Sequence, residues 1–237
     1  MPCNLRFAIK HNNQFLNPVE AFELLECRLD SFYDRESKIV IELYDDFVEI
    51  FNEDQSLKVD PVNKYQTLKR QFDKSSLYKD PLARAIGCKG SYRPDVLDST
   101  FGWGDDSLRM LAWGCRIKAL ERNPVIFSAM KLALKKLSNL PLSLEWTDSK
   151  SYERVHDVVY FDPMFEEKDL KSLPKKEMQW LRLLAGKGDS GAVDNFNRLK
   201  AFASKRLVVK RSLKAESFGK FEMQIKGKRS RFDVNLF

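Results

Sequence analysis

The sequence predicts an α/β protein. Its main part is an open, mostly parallel, Rossmann-like sheet covered by helices and finished by a terminal antiparallel strand. A small N-terminal α+β attachment precedes it. Three observations carry this reading. From Asp95 onward, short apolar runs alternate with helical segments, the pattern of βα units in a parallel sheet. The run Asp157 to Phe161 (DVVYF) is almost continuously apolar, as a strand buried on both faces must be. Residues 1–80 lack the alternation, which divides the chain into an attachment over 1–80 and a main domain over 81–237.

In the attachment, Glu20 to Leu29 reads as a short amphipathic helix, with Phe22, Leu25 and Leu29 near helical spacing. Lys38 to Leu43 and Phe47 to Phe51 read as strands, with Asp45-Asp46 as the hairpin turn between them. Lys64 to Lys79 is a polar stretch. Asp80-Pro81 starts a helix that runs through Leu82 to Ile86 and stops at Gly87. The alternation then begins with a strand at Val96-Leu97 and a helix over Ser107 to Trp113, ended by Gly114. A strand at Arg116 to Leu120 follows, then a helix over Pro124 to Leu137 with proline in its favoured first turn. Strands follow at Leu142 to Glu145 and Asp157 to Phe161, and helices at Lys175 to Leu184 and Val193 to Ser204. Leu207 to Val209 is a buried strand. Phe221 to Ile225 and Phe232 to Leu236 form the terminal antiparallel pair.

Composition narrows the function classes. A chain of 237 residues can bury a core without disulfide or metal staples. The net charge of +7 favours a polyanionic partner. Cys3, Cys27, Cys88 and Cys115 form no C-x-x-C pair, so no zinc framework is visible, and their scatter suits a reducing compartment. His11 and His156 are the only histidines, which disfavours Ser-His-Asp or Cys-His chemistry. Met1 to Asn13 lacks an apolar signal region and no apolar run approaches membrane-spanning length. The expectation is a cytoplasmic protein with neither a metal nor a membrane partner.

Three clusters can carry chemistry. Asp98-Ser-Thr-Phe-Gly102-Trp-Gly104-Asp105-Asp106 lies between a strand and a helix, where glycines permit a tight turn and close approach to a ligand. Ser107 stands where a full dinucleotide fingerprint has a third glycine or alanine. Glu121 ends the next strand, where a carboxylate can accept both hydroxyls of a ribose. Asp162-Pro163-Met164-Phe165 follows DVVYF directly. It places a carboxylate at the carboxyl edge of the sheet, with a stiff proline turn and a flat ring. Such a set suits attack by an exocyclic amine, with Asp162 accepting its hydrogens.

The order of these clusters resembles a class I methyltransferase, and more narrowly the ribosomal RNA small-subunit methyltransferase J family. Glu121-Arg122-Asn123-Pro124, Lys175-Lys176-Glu177-Met178, Lys205 to Arg211 (KRLVVKR) and Gly227 to Asp233 (GKRSRFD) extend the likeness, which covers about 80–237. The resemblance implies S-adenosylmethionine as cofactor and the 2-amino group of a guanosine in small-subunit ribosomal RNA as target. Asp98, Gly102 and Gly104 would then form the cofactor turn. Asp105 and Asp106 would lie beside the methionine end, Glu121 and Arg122 at the ribose, and Asp148 and Ser149 at the adenine. Asp162 would face both cofactor and amine, with Pro163 and Phe165 beside the base. The chain departs from the family pattern at Asp105, where a basic residue is usual, and at Phe101, where a small one is.

The basic C-terminal region points to RNA independently. Lys205, Arg206, Lys210, Arg211, Lys228, Arg229 and Arg231 are opposed there only by Glu216 and Glu222, apart from Asp233 beside Arg231. We expect a phosphate-contacting surface. Other readings stay open from the sequence: methylation of another nucleic-acid amine, a nicotinamide-dependent oxidoreductase, or a non-catalytic RNA-binding protein with a degraded cofactor fold.

Overall fold

The protein is described by a computed structural model covering residues 6–45, 47–72, 77–163, 175–185 and 191–237. The attachment contains strands β1 (Ala8–His11) and β2 (Gln14–Phe15), helix α1 (Pro18–Leu25), strands β3 (Val40–Leu43), β4 (Val48–Phe51) and β5 (Ser56–Val59), and helix α2 (Pro61–Gln71). The main part follows with α3 (Pro81–Ile86), β6 (Asp95–Asp98), α4 (Asp105–Ala112), β7 (Arg116–Glu121), α5 (Pro124–Ala133), β8 (Leu142–Trp146) and β9 (His156–Phe161). It ends with α6 (Lys176–Ala185), α7 (Ala192–Leu199), β10 (Ala203–Ser212), β11 (Met223–Lys226) and β12 (Ser230–Leu236).

The large sheet runs β11-β12-β10-β9-β6-β7-β8. β10, β9, β6, β7 and β8 are mutually parallel, and β12 pairs antiparallel with both β10 and β11. Strand order reverses between β6 and β9, because the chain leaves β6 toward β7 and β8 and returns on β6's other side. Open α/β sheets bind ligands at the carboxyl ends of strands flanking such a reversal. Asp98 and Asp162 lie at that point.

The period of two along each buried strand sends alternate residues to opposite faces. Leu97, Val159, Phe161, Leu207 and Val209 meet Phe196 and Leu199 of α7 on one face. Val96, Ile117, Ala119, Val158, Tyr160 and Val208 belong to the core on the other, with Leu108, Phe127 and Met130. That second core continues without a break into Phe7, Ile9, Ile41 and Ile50 of the small sheet, whose strands run β2-β1-β3-β4-β5. The two sheets therefore share one apolar core, with α5 between them.

Several element boundaries differ from the sequence expectation for local reasons. The helix expected over Glu20 to Leu29 is α1, and it begins earlier because Asn17 and Glu20 form a reciprocal capping box ahead of Pro18. It ends at Leu25 because Glu26 turns left-handed at φ 57°. The first half of the polar stretch, Lys64 to Gln71, belongs to α2, capped by Asp60 and started by Pro61, and 73–76 lie outside the described residues. The helix expected over Val193 to Ser204 stops at Leu199, since Ala203 already pairs with His156 as β10 begins. Lys135–Leu137 is a 3-10 turn rather than the end of α5. Of the expected hairpin turn, Asp46 lies outside the described residues. No helix among the described residues is long and apolar enough to cross a membrane.

Candidate active site

The turn after β6 is built around Asp98. This carboxylate is 2% exposed; Oδ2 accepts from the Ser107 hydroxyl at 2.6 Å and Oδ1 from the Thr100 N–H at 3.0 Å. Burial pushes its pKa up to about 7, against the two hydrogen bonds that favour the anion. Gly102 and Gly104 both take positive φ, 54° and 72°, and a Cβ at Gly104 would lie 2.6 Å from the Phe101 ring. The turn is thus folded back on a buried Phe101, and residue 104 has no room for a side chain.

Glu121 ends β7, 8% exposed, and ties that turn to its neighbour. Its Oε2 accepts from the Gly102 N–H at 2.9 Å and its Oε1 from the Asn123 N–H at 2.7 Å. Burial raises its carboxyl above the usual range, opposed by these backbone donors and Arg122. Each oxygen holds one backbone donor and keeps acceptor capacity for a hydroxyl. Arg122 approaches Asp148 at 4.0 Å, and Asp148 caps the short turn that follows β8. Ser149 is buried instead, accepting from Asn195 Nδ2 at 2.8 Å.

The third strand end brings Asp162 to the same rim. Its N–H donates to Thr100 Oγ1 at 2.7 Å, and the Ser99 hydroxyl donates to the Tyr160 carbonyl at 2.8 Å, so the β6 turn and the end of β9 are stitched together. Lys210 on β10 reaches between two acids, with Nζ 2.8 Å from Asp162 Oδ2 and 2.7 Å from Asp106 Oδ2. The Tyr160 hydroxyl donates to the same Asp106 oxygen at 2.6 Å, and Arg109 lies 3.3 Å from Asp106 Oδ1. Burial would raise the Asp106 carboxyl, but Lys210, Tyr160 and Arg109 outweigh it and hold it below its ordinary range. Burial dominates at Asp162, which is pushed up against the pull of Lys210.

Asp98, Gly102, Gly104, Asp106, Glu121 and Asp162 therefore converge at one edge, with Arg122 and Asp148 beside Glu121. Asp105 points away: its side chain is 63% exposed and pairs with Lys64 of α2. It lines a cavity of about 310 Å³ with Trp103 and Pro61, where the attachment meets the glycine turn. Pro163 is buried next to Asp162. Met164 and Phe165 lie outside the described residues.

The expected basic surface needs correction. Arg231 and Arg211 are each 6% exposed and serve the fold. Arg231 grips Asp233 through Nε at 2.9 Å and donates to the Ser212 and Leu213 carbonyls, while Arg211 donates to the Glu216 carbonyl. Lys205 and Arg206 sit at the amino ends of the parallel strands. Five residues of strand, roughly 16 Å at the usual rise, separate Lys205 from Lys210. Lys205 pairs there with Asp157 at 2.9 Å, and Arg206 donates to the Arg84 and Ala85 carbonyls. Lys210 belongs to the site itself. Lys228 and Arg229 are exposed on the β11–β12 turn, which lies on the site's side of the sheet because β12 begins opposite Ser212, the last residue of β10.

Sequence reasoning missed Tyr160, Thr100, Arg109 and the site role of Lys210. The signal for Tyr160 was its place two residues before Asp162, on the same face of the strand. Lys210 had only the weaker cue of a charge continuing a buried strand.

A family model for SAM-dependent methyltransferases matches residues 25–237. The chain is 37% identical to the ribosomal RNA small subunit methyltransferase J of Thioalkalivibrio sulfidiphilus over 67% of this chain and 68% of that one. It is 32% identical to the protein of the same name from Buchnera aphidicola over 98% of each. Among solved structures, a SAM-dependent methyltransferase from Neisseria gonorrhoeae superposes with a TM-score of 0.61 at 20% identity, covering 96% of this chain and 95% of that one. That likeness is one of fold.

Proposed function

Since the chain belongs to the SAM-dependent methyltransferases, and within them to the ribosomal RNA small subunit methyltransferase J family, we propose that it methylates the exocyclic 2-amino group of a guanosine in small-subunit ribosomal RNA. The observation that carries the reading is the gathering of Asp98, Asp106 and Asp162 at the reversal of strand order, beside a glycine turn braced by Glu121.

The residues fit a cofactor with a cationic methionine end and a neutral nucleoside end. Asp98, Asp106 and Asp162 would face the first, and Glu121 would offer acceptor capacity to the ribose of the second. S-adenosylmethionine, when bound, supplies an electrophilic methyl group. The residues of this chain supply positioning and charge. Asp162 accepts the hydrogens of the target amine, orients its lone pair, and takes up the hydrogen ion released as the nitrogen gains its methyl group. Pro163 stiffens the turn that carries Asp162, and Thr100 fixes its backbone. Holding two reactants at near-attack distance supplies most of the rate. The guanine must be presented unstacked, as for any chemistry on a base edge. Action on small-subunit ribosomal RNA would put the enzyme in the cytoplasm.

The test is transfer of labelled methyl from S-adenosylmethionine to small-subunit RNA by the purified chain; absence of label in RNA contradicts the reading. Glu121→Ala is expected to weaken cofactor binding by about 1–3 kcal/mol, the scale of hydrogen bonds to a charged group. Calorimetry checks this, and unchanged affinity would remove Glu121 from the ribose site. Of the basic residues expected to meet RNA, Lys228 and Arg229 on the β11–β12 turn are exposed on the site's side of the sheet. Exchanging both Lys228 and Arg229 for alanine should lower the salt-dependence slope of RNA binding by about 1–2, roughly one per phosphate contact. An unaltered slope would place the phosphates elsewhere.

A further inference from the structure

We infer that Lys210 is a positioning residue for methyl transfer: its ammonium clamps the Asp162 carboxylate against Asp106 and so fixes the oxygen that meets the target amine. The inference rests on the proposed role of Asp162.

The geometry follows from strand register. Val209 of β10 pairs with Phe161 of β9, so the next residues on the two strands, Lys210 and Asp162, emerge side by side at the carboxyl edge. The Nζ atom then reaches Asp106, on the first turn of α4, as well as Asp162. The groups facing Asp162 are Lys210 from β10, Asp106 from α4, Asp98 from β6 and, two residues back along β9, the Tyr160 hydroxyl, which is spent on Asp106. Thr100 receives the Asp162 N–H and leaves the carboxylate alone. Arg109 pairs with Asp106 and Asp80. Among the described residues, Lys210 is thus the only cation paired with the Asp162 carboxylate, while two other acids face it.

Chemistry makes this arrangement matter. A protonated Asp162 would offer a donor where the amine needs an acceptor, and it could not take up the hydrogen ion released at the nitrogen. Burial and the neighbouring Asp106 both push toward that protonated form; the nearby ammonium opposes them. Lys210 is also unsuited to the phosphate-contacting role that its place in a basic run suggests. Its side chain is only 29% exposed, and two of its three N–H donors are held by carboxylates whose charge repels a phosphate.

The test compares wild type with Lys210→Met and Lys210→Arg. Asp162 is followed by carbon NMR of aspartate-labelled protein, with Asp162→Asn assigning the resonance, and methyl transfer to small-subunit RNA is followed against pH. In Lys210→Met the Asp162 titration and the acidic limb of turnover should both move to higher pH, by on the order of one unit or more, the effect of losing a close opposite charge. In Lys210→Arg both should stay near wild type. A side chain that only stabilised the fold would lower the melting temperature and leave the titration in place. An Asp162 midpoint that is the same in wild type and Lys210→Met overturns the inference. If wild type labels no RNA, the proposed function fails, while the carbon titration still decides Lys210. Lys210→Gln, neutral but able to donate, carries the comparison if the methionine variant does not fold.

Discussion

Asp162→Ala is expected to lower turnover on the order of 100-fold with little change in the RNA concentration needed for half-maximal rate, as for loss of one preorganised polar contact in the transition state. The side chain is half-buried, and its carboxylate pairs with Lys210 of β10, which keeps Asp106 as a partner when Asp162 is truncated; the backbone N–H, which survives the substitution, makes the bond to Thr100. The fold should therefore persist. On the proposed function, Asp98 and Asp106 would remain to face the cofactor's cationic end, so the loss should fall on kcat. Single-turnover assays with saturating cofactor separate the two. Wild-type turnover in the purified variant would remove Asp162 from the chemistry and leave the basic surface as an argument for RNA adhesion alone.

The largest effect on stability is expected at Arg231. Replacing it with alanine strands Asp233, which is fully buried, and should cost about 3–5 kcal/mol, the usual penalty for breaking a buried pair from one side. For a chain of this size that corresponds to a melting temperature lower by roughly 6–20 °C. The guanidinium also holds the Ser212 and Leu213 carbonyls and Ser217 Oγ, so the loop after β10 loosens with it. Replacing Arg231 and Asp233 together by apolar residues of similar volume should recover much of the loss, because no unpaired charge remains. Thermal unfolding checks both. Unchanged melting together with weaker RNA binding would return Arg231 to the RNA surface.

Much of the fold was legible because its signals are local. Asp80-Pro81 with Gly87, and Asn123-Pro124, mark helix starts and ends through capping chemistry that needs no tertiary context. The DVVYF run could be read as a doubly buried strand from its composition alone. The same capping logic applies to Asp60-Pro61, but α2 carries few apolar residues to mark a buried face, and Val62, Tyr65 and Leu68 are only partly buried.

The site divides along the same line. The glycine turn, Glu121 and Asp162 are strand-end features, and their order in the chain predicts their convergence. What Lys210, Arg211 and Arg231 do depends on which residue lies across the sheet, and pairing register between distant segments is written in no local pattern. A run of basic residues therefore looked like one surface. The fold distributes it among a site, two internal clamps, an exposed turn and the opposite edge of the sheet.

The most direct measurement is the identity of the methylated nucleoside. Small ribosomal subunits that have not received this modification are incubated with the purified chain and labelled S-adenosylmethionine. The RNA is then digested to nucleosides and separated by mass. A site that presents an exocyclic amine to Asp162 should yield label in N2-methylguanosine, and the yield should collapse with Asp162→Ala. Label confined to adenosine, to ribose or to protein would contradict the account, as would label in RNA that is indifferent to Asp162.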